Sequence, residues 1–462
     1  MTRRRLLLAL ALLLATLPGA RPAYAATFAV TTTQDAPNVS PTGTTCASTL
    51  PGAPCTLRAA VQAANALGGT QTINLGVVGT YVLTVVGANE DSAASGDLDV
   101  NGVTLTVANT SGGAIAIDGN GIDRVFDVGP VTSAQLSLTG LAVRNGHADF
   151  RGGGILVNTD SNLRMSNGSV EDNSASLPFT PGFGGGLHNS GMASLHMVLG
   201  ANNTAHFHGR GSVCDSGAGG VIGNAGTMTL INVTVSGNTA EGFVCHSPLT
   251  GAHGSSIDNG GVLTIVQTTV ASNQLAGSTR NPIQGAGISN GGTAVVNRSL
   301  IVNNTPGGDC AGTLTSQGDN ISSDASCSLT GLGDRSNTDP LLGPLQDNGG
   351  FTPTHAVLPG SPAIDGVTHN ACPPPATDQR GFLRPAGARC DVGAFELGAA
   401  SPTPTATATS TRTATPTATN TPTTTATPLP TRTSVPTATA TATPRSLTVA
   451  QAIAQVAASA RR

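Results

Sequence analysis

Five stretches in the middle of the chain repeat one skeleton: a Gly-rich lead-in, an apolar residue, an Asn, alternating apolar positions and a second Asn. They are GGGILVNTDSNLRMSNGSVEDN (152–173), GGGLHNSGMASLHMVLGANN (184–203), GGVIGNAGTMTLINVTVSGNTA (219–240), GSSIDNGGVLTIVQTTVASN (254–273) and GAGISNGGTAVVNRSLIVNN (285–304). The first Asn falls at Asn158, Asn189, Asn224, Asn259 and Asn290, the second at Asn173, Asn203, Asn238, Asn273 and Asn304. The two are 14 residues apart in four repeats and 15 in the first, and successive repeats follow at intervals of about 30–35 residues. A unit this short cannot enclose a core alone, so neighbouring units must stack and share one.

Between the two Asn the apolar positions alternate with a period of two, which is strand spacing and not helix spacing. In TMTLINVTVSGN, Met228, Leu230, Val233 and Val235 fall on the inward side, with a change of phase at Asn232 that implies a bend. Val262, Leu263, Ile265 and Val270 are assigned inward in the following repeat. Parallel strands stack about 4.8 Å apart, so equivalent residues of successive rungs form vertical rows. An Asn in such a row bonds to the Asn above and below, and Asn tolerates the left-handed turn conformation. The ten Asn are therefore read as a structural ladder. The fold expected is all-β, a right-handed parallel β-helix.

Composition agrees with thin stacked layers. The 462 residues contain 60 Gly, no Trp, 3% aromatic and only 10% charged residues. All the basic side chains are Arg, which excludes any mechanism that needs a lysine. A formal net charge of −4 with scattered Arg gives no basic surface for nucleic acid.

Repeat length varies at one place, between the second Asn and the next lead-in. The insertions there are TAHFHGRGSVCDSGA (204–218), TAEGFVCHSPLTGAH (239–253) and QLAGSTRNPIQ (274–284). Loops of changing length leaving one side of a solenoid are its expected contact surface.

Residues 1–25 have the form of a secretory signal: Arg3, Arg4 and Arg5, an apolar run from Leu6 to Leu17, then Ala23-Tyr24-Ala25. Export makes the eight cysteines disulfide candidates. They form four local couples, Cys46/Cys55, Cys214/Cys245, Cys310/Cys327 and Cys372/Cys390, and sequential pairing is the simplest of the 105 connectivities. CTLRAAVQAANALGG (55–69) is the one helix expected in the folded part, with Thr56 as cap and Leu57, Ala60, Val61 and Ala64 on one face. Gly68-Gly69 ends it, and it would cover the open end of the solenoid. Residues 26–98 thus make the cap and first coils, and 99–304 the repeats. A Pro/Thr-rich linker (398–445) cannot bury a core, and a short amphipathic segment (446–462) is too short and polar to span a membrane.

Three stretches resemble known families. The repeats resemble those of polymorphic outer-membrane-protein-like β-helices with the pectin-lyase fold. Cys55 to Val61 with Ala64-Asn65 resembles the CSLREA motif of exported bacterial proteins, with Ala59 standing where that family has Glu. Residues 305–397 resemble the choice-of-anchor Q domain through NTDPLLGPLQDNGGFTPTHAVLPGSPAID (337–365), DQRGFLRP (378–385) and CDVGAFE (390–396). These resemblances imply an exported β-helix whose C-terminal part belongs to the helix and precedes a surface anchor. They imply no particular reaction. Leu429 to Thr433 only half resembles a sortase signal.

Candidate chemistry is sparse. Glycoside hydrolysis needs two positioned carboxylates. Asn158-Thr159-Asp160 matches a tripeptide of polygalacturonase-like enzymes, but the rest of their pattern is missing. The best acidic cluster is Asp97-Leu98-Asp99-Val100-Asn101-Gly102, which begins like a Ca²⁺ loop but has Ala108 at the twelfth position. Alternation puts Asp97, Asp99 and Asn101 on the solvent side, with Leu98 and Val100 inward. His188, His196, His206, His208, His246 and His253 concentrate in the repeats, and His206 and His208 with Cys245-His246 are a transition-metal alternative to the Cys214/Cys245 disulfide. Near the end of the folded part, Arg380 or Arg384 paired with Asp391 or Glu396 would close the last coil.

No catalytic, cofactor-binding or metal residue is assigned on these grounds, Ca²⁺ being the secondary candidate. The expectation is an exported or cell-surface monomer, non-enzymatic, acting in adhesion, binding or envelope structure. Its partner would be a carbohydrate, a matrix or a cell surface, and not nucleic acid. The rival reading is a polysaccharide lyase or glycoside hydrolase.

Overall fold

Each repeat folds as one rung, and the rungs stack in parallel register. A computed structural model of the chain describes residues 25–88, 90–178, 183–208, 220–242, 255–277 and 285–400. Three faces enclose the core. The first consists of eight parallel strands, Leu98–Val100, Phe126–Val128, Ile155–Val157, Leu187–Asn189, Ile222–Asn224, Ile257–Asn259, Ile288–Asn290 and Cys310–Gly312. The second runs from Thr27–Val30 and Gly69–Leu75 through Thr227–Ile231 and Val262–Val266 to Thr315–Ser316. The third includes Ile115–Asp118, Thr234–Ser236, Thr269–Ala271, Leu300–Val302 and Ile321–Ser322. The long strands Asn162–Glu171 and Met192–Ala201 pass round the corner between the second and third faces. The chain is a parallel β-solenoid.

That corner has a simple local cause. Asn167, Met197, Asn232, Gln267 and Arg298 occupy it in successive rungs, with φ of 53°, 56°, 52°, 48° and 51°. One left-handed residue turns the strand and reverses which parity points inward. The phase change at Asn232 is this bend. Inward positions form apolar rows, such as Leu195, Leu230, Ile265 and Val296 on the second face. Val262 is not among them: it pairs with Thr227 on the outward side and is 46% exposed. Leu263 takes the inward place, because only alternate residues of a strand share a face.

Two columns of side-chain amides run up the corners. In one, the Nδ2 of each Asn donates to the Oδ1 of the next, from Asn173 to Asn203 (2.9 Å), Asn238 (3.1 Å), Asn273 (2.9 Å) and Asn304 (2.8 Å). Asp309 Oδ1 ends the series by accepting from Asn304 at 3.0 Å. The other column joins Asn189, Asn224, Asn259 and Asn290 at 2.7–2.8 Å. In the corner beside this second column stand Gly191, Gly226, Gly261 and Gly292. A Cβ on Gly226, Gly261 or Gly292 would run into the carbonyl oxygen of the glycine one rung below.

Asn158 stands outside the second column, contrary to its place in the repeat pattern. Val157, not Asn158, pairs with Asn189. The turn that follows is two residues longer here, residues 158–161 against 190–191 in the next rung, so Asn158 falls past the column.

The helix Leu57–Leu67 begins at Thr56, whose hydroxyl accepts from the Ala59 amide, and ends at Gly68 with φ 62°. Leu57, Ala60, Val61 and Ala64 are buried against the first rungs. Among the described residues three disulfides are formed, Cys46–Cys55, Cys310–Cys327 and Cys372–Cys390. Cys214 and Cys245 lie outside the described residues, as do His246, His253, the signal-like start and everything after residue 400. Among the described residues no helix is long and apolar enough to cross a membrane.

Of the expected C-terminal coil, residues 305–322 do continue the rungs, through Cys310–Gly312, Thr315–Ser316 and Ile321–Ser322, whereas residues 337–397 depart from it. The last described rung strand ends at Ser322, and the chain then returns along the outside of the third face. Arg298 Nη1 donates to the carbonyls of Ala371 and Pro374, Ala394 N to Thr269 Oγ1, Thr234 Oγ1 to Gln379 Oε1, and Asn232 Nδ2 to the Thr377 carbonyl. Ser236 Oγ lies 2.8 Å from His355 Nε2. Outward-facing Ala271, Leu300 and Val302 form a second apolar cluster with Val357, Val392 and Phe395. Hence Thr234–Ser236, Thr269–Ala271 and Leu300–Val302 are buried on both sides. Residues 337–397 form a strap on the flank. Its own closure is the buried Arg384–Glu396 pair at 2.8 Å and the Arg380–Asp378 pair at 2.7 Å. Those arginines lock the strap and do not close the last coil, because the outward apolar residues of the third face offer it an unfilled surface.

Candidate functional site

Apart from the ion pairs within the strap, buried charge among the described residues concentrates at the N-terminal end of the first face. Leu98–Val100 and Phe126–Val128 are adjacent parallel strands, with Asp99 directly beside Asp127. Leu98, Val100, Phe126 and Val128 point into the core, so alternation turns both aspartates outward. Outward does not mean exposed here. Asp97, Asp99 and Asp127 are 2%, 1% and 5% exposed, which corrects the solvent-facing reading of the acidic cluster. Asn101 is half-buried; its Nδ2 donates to the Asp91 carbonyl and its Oδ1 accepts from Val131.

What covers the aspartates is the segment leading into them. Arg58, buried on the capping helix, pairs with Asp35 at 2.8 Å and donates to the carbonyls of Ala93, Gly96 and Asp97. Residues 93–97 are thereby held over the first face, and Ala93 N donates to Asp99 Oδ2 at 2.6 Å. A helix that caps the solenoid thus also roofs the cluster.

A carboxylate oxygen from each of Asp97, Asp99 and Asp127 lies within 4.8 Å of the other two. Arg124 Nη1 stands 3.0 Å from both Asp97 Oδ2 and Asp127 Oδ2, and Asn158 Nδ2 donates to Asp127 Oδ1 at 2.5 Å. Asp99 Oδ1 is buried with no hydrogen-bond partner, and so is Arg124 Nε. Burial pushes Asp97 up to about 8, against the opposing pull of Arg124. It pushes Asp99 up to about 9, with the charge of Asp97 adding to the effect. Asp127 is raised to about 6, again chiefly by burial, with Arg124 and Asn158 holding it down.

These are the described side chains that could hold a cation. Neither Asp127 nor Arg124 was singled out from the sequence. A signal existed: LDVNG (98–102) and FDVGP (126–130) share an apolar-Asp-Val triplet before a turn, 28 residues apart, outside the Asn pattern that drew attention to the later rungs.

The other candidates do not converge. Asp160 is exposed in the turn after Asn158, with φ 63°, apart from the acidic cluster. His206 Nδ1 is 2.6 Å from Glu241 Oε2 on the neighbouring rung, while the His208 side chain is outside the described residues. His188 occupies the same outward row as Asp127, two rungs further on. It is buried beside Phe183 with neither ring nitrogen bonded, and burial lowers it to about 3.

A groove of about 620 Å³ opens where the start of the strap crosses the early rungs. Its walls include Asn109, Thr139, Asn167, Ser169 and Glu171 from the solenoid and Phe351 from the strap. Phe351 is 64% exposed. Glu171 is the one titratable side chain of its lining, and its Oε1 accepts from Ser169 Oγ at 2.8 Å.

No family model matches the chain, and no curated protein matches it. Among solved structures, the crystal structure of pectate lyase Pel9A aligns with a TM-score of 0.38 at 15% identity, covering 80% of this chain and 96% of that one.

Proposed function

We propose that the protein is an exported, non-enzymatic β-helix that binds carbohydrate at a cell surface or in a matrix. The groove beneath Phe351 carries this reading: it joins an exposed aromatic ring to a wall of amides and hydroxyls, with a single carboxylate. An aromatic face covers the apolar face of a sugar ring, and fixed polar groups orient its hydroxyls. Hydrolysis of a glycosidic bond uses two carboxylates, so a groove with Glu171 alone favours binding over turnover. The three disulfides among the described residues fit an oxidising compartment. The variable insertions are the second contact surface. Their first residues, Thr204–His208, Thr239–Gly242 and Gln274–Gly277, lie side by side in one parallel sheet, so all three insertions begin on one flank of the solenoid. The CSLREA-like and choice-of-anchor Q-like stretches support the same placement at the cell surface.

The alternative is a polysaccharide-active enzyme of the same fold class. A glycan array and a panel of acidic polysaccharides, probed with the purified chain, separate the two. Retention of a defined glycan without new reducing ends or unsaturated products is expected. Turnover of any polysaccharide in the panel would replace binding with catalysis as the conclusion.

A further inference from the structure

We infer that Asp97, Asp99 and Asp127 form a binding site for one Ca²⁺ ion, roofed by residues 93–97 and set between the first two strands of the first face. Three carboxylates converge there against one guanidinium, that of Arg124. Holding all three carboxylates ionised side by side in so buried a setting needs a further positive charge. The independent sign of a missing ligand is Asp99 Oδ1, a carboxylate oxygen sealed from solvent that nothing in the surrounding structure satisfies. A buried acceptor without a donor is costly, and a cation answers it directly.

The dimensions favour calcium. Ca²⁺–oxygen distances are about 2.3–2.6 Å, so ligands on opposite sides of the ion stand about 5 Å apart. The cluster already holds its oxygens within 4.8 Å of one another without rearrangement of the strands. All three donors are hard oxygens, which selects against softer transition metals. Mg²⁺ keeps several waters in a strict octahedron, and a roofed site has little room for them. Arg124, whose side chain is 23% exposed against 3% for that of Asp97, is the group that yields when the ion enters. The roof supplies a structural consequence: because residues 93–97 are tied to Arg58, occupancy of the site clamps the capping helix to the first rungs.

The test uses the full chain, stripped with chelator and titrated with Ca²⁺ by calorimetry. One ion per chain is expected, with a dissociation constant at or below the range of about 10⁻⁴–10⁻³ M found for extracellular sites. Asp99→Asn should weaken binding by about 10–100-fold, and equimolar Mg²⁺ should not displace Ca²⁺. Should Asp99→Asn fail to fold, the luminescence lifetime of Eu³⁺ on the wild-type chain decides, since a roofed ion carries few coordinated waters. Absence of Ca²⁺ uptake by folded stripped protein, undiminished binding by folded Asp99→Asn, or a fully hydrated Eu³⁺ would each overturn the assignment.

Discussion

Asn238 Nδ2 donates to Asn273 Oδ1 at 2.9 Å, and the same oxygen accepts the backbone N–H of Asn238 at 3.1 Å. Two residues 35 positions apart in the chain therefore share a two-pronged contact, and the same pairing repeats between neighbouring rungs of that column. Asn238 also donates to the carbonyls of Gly200 and Ser236. Replacement of Asn238 by Ala leaves those buried groups without their donor. Asn238→Ala is expected to lose about 1–3 kcal/mol, measured by denaturant unfolding. An unchanged midpoint would show that the column contributes nothing to stability.

The buried Arg384–Glu396 pair holds the strap together. Glu396 also accepts from the amides of Ala386 and Asp391, so its loss strands several donors. Glu396→Gln should destabilise by about 3–5 kcal/mol, the usual cost of leaving one buried charge unpaired. Proteolysis should then cut first within residues 337–397. A variant as protease-resistant as the wild type would contradict the clamping role.

His188 provides a pH dependence with a definite sign. Its folded value of about 3 lies below the ordinary 6.5, with burial as the main cause and the charge of Arg151 adding to it. Between these values the unfolded chain binds a proton that the folded chain does not, so stability falls as pH drops from 6.5 toward 3. Its lowered proton affinity costs nothing above pH 6.5. His188→Leu, matching the neighbouring Leu156 in its row, removes both the slope and two unpartnered nitrogens. The variant should gain about 1 kcal/mol near neutrality and more in acid, read from melting temperatures across pH. A variant with the wild-type acid slope would exclude His188 as its source.

Phe351 offers the direct test of the groove. Phe351→Ala removes an exposed ring, so folding should be unaffected within about 0.5 kcal/mol. Affinity for whichever glycan the array identifies should fall by about tenfold or more, as for other aromatic anchors. Unaltered affinity would move the contact surface to the loops.

The sequence was most informative where local chemistry repeats. Alternation identified Met228, Leu230, Val233 and Val235 as core, and Asn232 as a corner, because strand parity and a left-handed turn are properties of a few adjacent residues. It misplaced Val262, where two adjacent apolar residues leave parity ambiguous, and Asn158, where a longer turn shifts the register. The acidic cluster illustrates a different limit. Strand parity correctly turned Asp99 away from the core, but whether it met water depended on residues 93–97, held by an arginine on a separate helix. The strap was invisible for the same reason: Val392 and Phe395 have no periodic partners nearby, and their burial depends on residues about 90–125 positions earlier.

That strap alters how such a molecule can come apart and come together. A plain solenoid interacts only between neighbouring rungs, so it can fray from either tip one layer at a time. Here the strap touches Arg298 and Thr269 near one end and Asn232 and Ser236 in the middle, and it faces the rungs around Asn109 and Gly140 across the groove. Layers that never meet are made to share a fate, and unfolding becomes a collective event. The same contacts join residues far apart along the chain, which slows assembly. The rungs can stack as they are synthesised, but the molecule cannot reach its final cohesion until residues 337–397 have been made.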